Sequence, residues 1–157
     1  MRYLAPGNYY GLDINASLFQ AGKMELEQAG LRDRHPHLLV SDKFELSAFG
    51  VVFDFALAQS LFTHLCWNHI LRCLSHTRKV LGPRGRFYAT FFEAPSSVHL
   101  QPIMRTPGDM QTHYDQDPYH YSFAEIQVMA RMTGWRVELI GDWGHPRSQS
   151  MLVFTHQ

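Results

Sequence analysis

Residues Tyr9-Tyr10-Gly11-Leu12-Asp13-Ile14-Asn15 read as a short strand that ends in an acid and runs straight into a helix start. An acid at the tip of such a strand is where a nucleotide-binding α/β domain holds a ribose hydroxyl. In that arrangement a glycine-rich strand-to-helix turn lies roughly 20 residues upstream of the acid. Here twelve residues precede Asp13, and they contain one glycine, Gly7. The chain therefore reads as a cofactor-binding domain that begins after its own first strand, its loop and most of its first helix.

The segments that follow alternate between strand and helix. Asn15 is placed to cap a helix over residues 16–29, which Gly30 ends. Leu18, Gly22, Leu26 and Ala29 recur on one face of it. His37-Leu38-Leu39-Val40 is a short apolar strand ending at Ser41-Asp42. Residues 49–58 form a nearly continuous apolar strand, the pattern of a strand covered on both faces. Residues 68–81 are helical, with Ile70, Leu71, Leu74 and Leu81 on one side, and Gly82-Pro83-Arg84-Gly85 is a turn into a strand over 86–92. Residues 93–121 hold four prolines and little periodicity, the mark of a functional lid or a partly disordered loop. Ser122-Phe123-Ala124-Glu125 is a capping box for a helix reaching Gly134. Two closing strands, 136–140 and 151–154, are expected as antiparallel neighbours. The alternation predicts an α/β fold in one domain, a mostly parallel sheet with helices on both faces.

Composition narrows the partners. Fourteen basic and fourteen acidic residues cancel, so no electrostatic footprint for nucleic acid or a membrane surface is present. The most apolar run, residues 49–65, is interrupted by Gly50, Asp54, Gln59 and Thr63-His64, which excludes it as a membrane span. The first residues carry no apolar stretch long enough for a signal peptide, and two cysteines, Cys66 and Cys73, make no disulfide scaffold. A cytoplasmic protein is the expectation.

Four stretches carry a family resemblance: Tyr10-Gly11-Leu12-Asp13-Ile14, Ser41-Asp42, the run from Phe53-Asp54-Phe55 through Gln59-Ser60-Leu61-Phe62-Thr63-His64-Leu65, and Lys79-Val80-Leu81-Gly82-Pro83-Arg84-Gly85-Arg86-Phe87. In this order and spacing the chain resembles the class I S-adenosylmethionine-dependent methyltransferases from the second strand to the end of the fold. The resemblance implies a Rossmann-like sheet, mostly parallel with an antiparallel C-terminal strand pair, lacking the first strand and most of the first helix. It makes residues 1–7 the tail of that helix. It implies S-adenosylmethionine as cofactor, bound weakly or not at all because the glycine-rich first motif is missing, and a small molecule as methyl acceptor.

Each candidate residue has a functional and a structural reading. The Asp13 carboxylate can accept from both ribose hydroxyls, or it caps the next helix. Ile14 follows it. Asp42 would accept from the adenine amine, or it forms a turn before Lys43-Phe44. Phe44 lies against adenine or in the core. Gln59, Ser60 and Phe62 follow the C-terminal end of the central strand, where open α/β sheets bind ligands, so their backbone would face the cofactor. His64 is a candidate general base on a substrate hydroxyl, or it packs against the following helix. In the loop, His113, Tyr114, His120 and Tyr121 are candidates to line a substrate pocket, or they pack among themselves. The same loop shows no metal-ligand spacing. Asp54, Cys66, Cys73, Trp67, Trp135 and Trp143 read as structural, the tryptophans as core or seam residues.

Without the first strand, the edges of the strands at Tyr9 and Phe53 lack cover, and such edges pair with something. A homodimer covering both edges is the expected state. Two alternatives belong to other classes: a non-enzymatic homodimeric binding or interaction protein derived from a methyltransferase, and a nicotinamide-dependent oxidoreductase using the Asp13 position.

Overall fold

The computed structural model describes residues 3–106 and 110–157. It divides into two compact units, Met1–Val51 and Val52–Gln157. In the first unit, β1 (Tyr10–Asp13) leads into α1 (Ala16–Gln28), and β2 (His37–Val40) returns parallel to β1. The pairing runs from Tyr10 opposite His37 to Asp13 opposite Val40. The Tyr10 ring stacks on His37 at 4.5 Å between centroids. Helix α1 begins as its sequence dictates, with Asn15 extended and its side chain accepting from Ser17 N. The apolar stripe expected to pack is not covered, since no residue of α1 is buried. Residues 3–7 form turns rather than the tail of a helix, with Gly7 at φ +79° donating to Arg34 O. Met1 and Arg2 lie outside the described residues.

The apolar run from residue 49 is not one strand. Leu46–Phe49 is a turn of 3-10 helix closed by Gly50 at φ +67°, whose N–H returns to Ser47 O. That left-handed residue breaks the extended path, a feature hydrophobicity cannot register.

The second unit holds β3 (Phe53–Ala58), α2 (Trp67–Val80), β4 (Leu81–Glu93), β5 (Ile103–Arg105), β6 (Met110–Thr112), β7 (His120–Tyr121), α3 (Phe123–Met132), β8 (Trp135–Asp142) and β9 (Ser150–His156). The sheet order is β3-β4-β9-β8, with β7 parallel to the far end of β4. Strand β3 runs parallel to β4, and β9 is antiparallel to both β4 and β8. The sheet is mixed where the alternation predicts a mostly parallel one, because β9 runs antiparallel to both β4 and β8; the closing pair is antiparallel as expected. The expected turn at residues 82–85 is a bulge inside β4: Leu81 pairs with Phe53 and Arg86 with Phe55. Gly85 permits it, because a Cβ there would lie 2.5 Å from Leu81 Cγ and 2.9 Å from Gly82 O.

Ile70, Cys73, Leu74, Thr77 and Val80 form the buried face of α2, and Ile126, Met129 and Ala130 that of α3. The capping box at α3 is complete, Ser122 and Glu125 each bonding the other's backbone N–H. Phe62, Phe87, Phe154 and Trp135 meet between sheet and helices, and Trp135 Nε1 donates to Leu74 O at 3.0 Å. Trp143, expected in the core or a seam, is exposed. The segment after β4 is more ordered than its composition suggests, since β5 and β6 pair antiparallel within it. Strands of three residues are too short for a sequence period to reveal.

Candidate functional site

The first unit brings two acids to the same end of its parallel strand pair. Asp13 is the last residue of β1, and Asp42 lies two residues past the end of β2. Asp13 is half-buried, and its Oδ1 accepts from Asn15 N at 2.7 Å. The carboxylate thus supports the start of α1 with one oxygen. Asp42 and Ile14 are exposed. Phe44 is half-buried at φ +57° in the turn where the Ser41 hydroxyl accepts from Lys43 N and donates to Glu45.

In the second unit the chain leaves β3 through a strained turn. Gln59 is exposed, and Ser60 stands at φ +56°, a conformation non-glycine residues rarely adopt. A polar network holds it. Ser60 N donates to Thr90 Oγ1 at 2.7 Å, and Gln149 Oε1 accepts from the Ser60 hydroxyl at 3.1 Å and the Thr90 hydroxyl at 2.7 Å. The Thr63 hydroxyl bonds back to Ser60 O at 2.7 Å. Thr90 and Gln149 are buried, and neither is obvious from sequence: Thr90 is a polar residue inside an apolar strand, and Gln149 has no local signal at all. Phe62 puts its ring into the core, 6.2 Å from Phe87 and from Phe154, so only its backbone is available to a ligand.

His64 and Asp117 come together at this end of the unit. The His64 Nδ1 to Asp117 Oδ1 distance is 2.7 Å, and both side chains are more than half exposed. The backbone next to them is tied: Tyr119 N donates to Thr63 O at 2.7 Å, and the Tyr121 hydroxyl to Leu65 O at 2.6 Å. His113 bridges Tyr119, and its N–H reaches Pro118 O.

The four loop candidates separate into two kinds. Tyr114 is exposed and His113 half-buried. His120 is fully buried, with Nε2 2.7 Å from His99 O and Nδ1 2.9 Å from Thr112 Oγ1. Burial pushes its pKa down, and the nearby Arg105 charge adds to that effect against the bond to His99 O. Burial pushes the Tyr121 hydroxyl well up. His120 and Tyr121 therefore spend their polar atoms on holding the loop.

Arg105, which the sequence does not single out, anchors the hairpin. It donates to Glu93 O at 2.9 Å and to Thr112 Oγ1 at 3.1 Å, and its guanidinium lies 5.1 Å from the Phe92 ring centroid. Burial lowers its pKa, and the Glu93 carboxylate opposes that. Among the described residues no group of three or more metal-ligating side chains could hold an ion, and no helix is long and apolar enough to cross a membrane.

No family model and no curated protein matches the sequence. Solved structures do match the fold. An S-adenosylmethionine-dependent methyltransferase from Clostridium acetobutylicum superposes with a TM-score of 0.70 at 9% identity, over 95% of this chain and 75% of that one. The magnesium protoporphyrin IX methyltransferase of Synechocystis, solved with S-adenosylhomocysteine, gives 0.63 at 14%, over 94% and 63%. An O-methyltransferase family 2 protein from Planctomyces limnophilus, solved with apigenin, gives 0.66 at 15%, over 94% and 43%. The fold is that of the class I S-adenosylmethionine-dependent methyltransferases. The chain spans less than half of the Planctomyces protein and under two thirds of the Synechocystis enzyme.

A methyltransferase cofactor can be tested against the donor set. The adenosine end needs acceptors for ribose hydroxyls and an amine. Asp13 offers an acceptor in the oxygen that Asn15 N does not occupy, and Asp42 offers an exposed carboxylate. The methionine end is met less well, because among the described residues no glycine-rich turn joins a strand to a helix.

Proposed function

We propose that this chain is a methyltransferase domain that holds S-adenosylmethionine weakly and serves a small-molecule acceptor. The observation that carries the reading is an acid at the tip of β1 in a class I methyltransferase fold. When bound, the cofactor would supply an electrophilic methyl group on a sulfonium. Asp13 accepts from the ribose hydroxyls and Asp42 from the adenine amine, with Phe44 and Ile14 as apolar cover. Gln59, Ser60 and Phe62 present backbone groups at the tip of β3. His113 and Tyr114 face the acceptor, His120 and Tyr121 support them, and His64 takes the acceptor's proton. Two free thiols, Cys66 and Cys73, fit a reducing cytoplasm.

In this reading the chain supplies the sheet from its second strand onward. Three features support that. Among the described residues, β1 forms a ladder with β2 and β3 with β4. No described residue of the first unit is buried. On β3, Phe55 and Leu57 point the same way and are 69% and 62% exposed, although the strand's apolar run is the pattern of a strand covered on both faces.

Calorimetry with S-adenosylmethionine tests the proposal. Asp13→Ala abolishes measurable binding, while Asp42→Ala weakens it by about 1–2 kcal/mol, because one carboxylate serves two hydroxyls and the other a single amine. Equal losses, or none from Asp13→Ala in a folded protein, would return Asp13 to its capping role alone. A second reading, a homodimeric interaction protein without catalysis, draws on the exposed apolar surface of β3, and it gains ground if no cofactor binds.

A further inference from the structure

We propose that Asp117 is a positioning residue that fixes His64 with its proton on Nδ1, so that the Nε2 lone pair faces the acceptor. The inference rests on the methyltransferase reading for its purpose, and on geometry for its content. An ionised carboxylate can only accept a hydrogen bond. With Nδ1 2.7 Å from Asp117 Oδ1, the neutral imidazole must carry its proton on Nδ1, which leaves Nε2 bare. Free histidine side chains prefer the opposite tautomer, so the pairing selects a form that a solvated ring holds only in the minority. The ring that orients a base through a carboxylate on its far nitrogen is the arrangement that makes histidine an effective proton acceptor.

Two further observations separate this pair from an incidental surface contact. The partners are 53 residues apart, and the segments carrying them are clamped beside the pair by Tyr119 N to Thr63 O at 2.7 Å and Tyr121 hydroxyl to Leu65 O at 2.6 Å. The pair also stands just past the C-terminal end of β3, the end at which open α/β sheets take ligands. The acceptor class follows: a hydroxyl or an N–H that must shed a proton, not a tertiary amine or a thioether. In the step served, the acceptor oxygen's lone pair bonds the methyl carbon of a sulfonium donor, the carbon–sulfur pair goes to sulfur, and the hydroxyl proton passes to His64 Nε2. The imidazolium so formed sits against the Asp117 carboxylate until water takes the proton.

The other histidines provide an internal reference. His120 has its Nε2 on His99 O, a carbonyl that only accepts, and His145 accepts from Arg147 N with Nδ1. Both must carry the proton on Nε2 when neutral. Long-range nitrogen–carbon correlation spectra of histidine-labelled protein, taken at pH 8.5, should show His64 in the Nδ1–H pattern against an Nε2–H pattern for His120 and His145. Asp117→Ala should move His64 to the Nε2–H pattern while His120 keeps its own, which certifies that the loop still folds. Asp117→Glu should restore part of the Nδ1–H signal. An Nε2–H pattern for His64 in the unaltered protein would overturn the proposal, as would an Nδ1–H pattern that survives Asp117→Ala. Failure to bind S-adenosylmethionine in calorimetry would instead refute the methyltransferase reading and leave the tautomer result standing.

Discussion

Thr90→Val tests whether the buried network positions the turn after β3. Thr90 is 0% exposed, and valine keeps its shape while removing the hydroxyl. Two bonds disappear, the one from Ser60 N at 2.7 Å and the one to Gln149 Oε1 at 2.7 Å. Gln149 Oε1 keeps the Ser60 hydroxyl at 3.1 Å, so its loss is a net hydrogen bond of about 0.5–1.5 kcal/mol. Ser60 N keeps nothing, and a partly buried donor left unsatisfied costs about 1–3 kcal/mol. Together the change removes about 1.5–4.5 kcal/mol. That loss falls if the turn relaxes, since Ser60 at φ +56° is a strained residue held in place by these bonds. Urea unfolding measures it, followed by tryptophan fluorescence. The three tryptophans, Trp67, Trp135 and Trp143, all lie in the second unit, so the signal reports that unit alone. Nitrogen–proton spectra report the Ser60 amide, which should lose its downfield shift. A loss below about 0.5 kcal/mol with an unmoved Ser60 amide would show that the turn is held by something else.

Further expectations follow from burial. Burial pushes the Cys73 thiol up to about 12, so a disulfide reagent at pH 8 should titrate one thiol, Cys66, in the native protein and two in guanidinium; fast labelling of both would refute the packing of α2. His120 is depressed below its ordinary value near 6.5, so the unfolded chain binds its proton first as pH falls, and stability declines from pH 7.5 toward 5.5. His120→Gln should flatten that slope in urea titrations, and an unchanged slope would remove His120 from the acid sensitivity. If a second copy covers β3, burying Phe55 and Leu57 contributes about 3–6 kcal/mol to association. Light scattering should then give a dimer at micromolar concentration and a folded monomer for the Phe55→Lys/Leu57→Lys double variant, whereas a monomeric unaltered protein would end the dimer reading.

The features legible in sequence are the local ones. Asn15 and Ser122 announce their helices within three residues, and the structure uses both caps as written. The acid at the tip of β1 and the closing antiparallel pair are equally plain, because period and punctuation define them. The errors come where a single backbone conformation or a distant partner decides. Gly50 in a left-handed conformation splits a run that hydrophobicity reads as one strand. The loop after β4 hides an antiparallel pair of strands of three residues each. The network at Ser60 reaches Gln149, 89 positions away, and the His64–Asp117 pair spans 53. Asp117 carries no motif of its own, so only the fold reveals what it does.

The two units differ in how completely the chain satisfies itself, and that difference bears on function. The second unit has a layered core in which Trp135, Phe62, Phe91, Phe92 and Phe154 are fully buried. The first has none among its described residues, although Leu12, Leu38 and Leu39 are apolar and lie on paired strands. A segment of about 50 residues with so little buried area is marginal on its own. Further burial of those half-buried leucines would steady the strand ends that lead into Asp13 and Asp42. On the proposed cofactor reading, affinity for an adenosine group and order in the first unit would be two readings of one equilibrium, because a ligand that binds only the ordered form is weakened by the fraction of molecules in it. Covering the apolar faces should raise cofactor affinity without touching either acid.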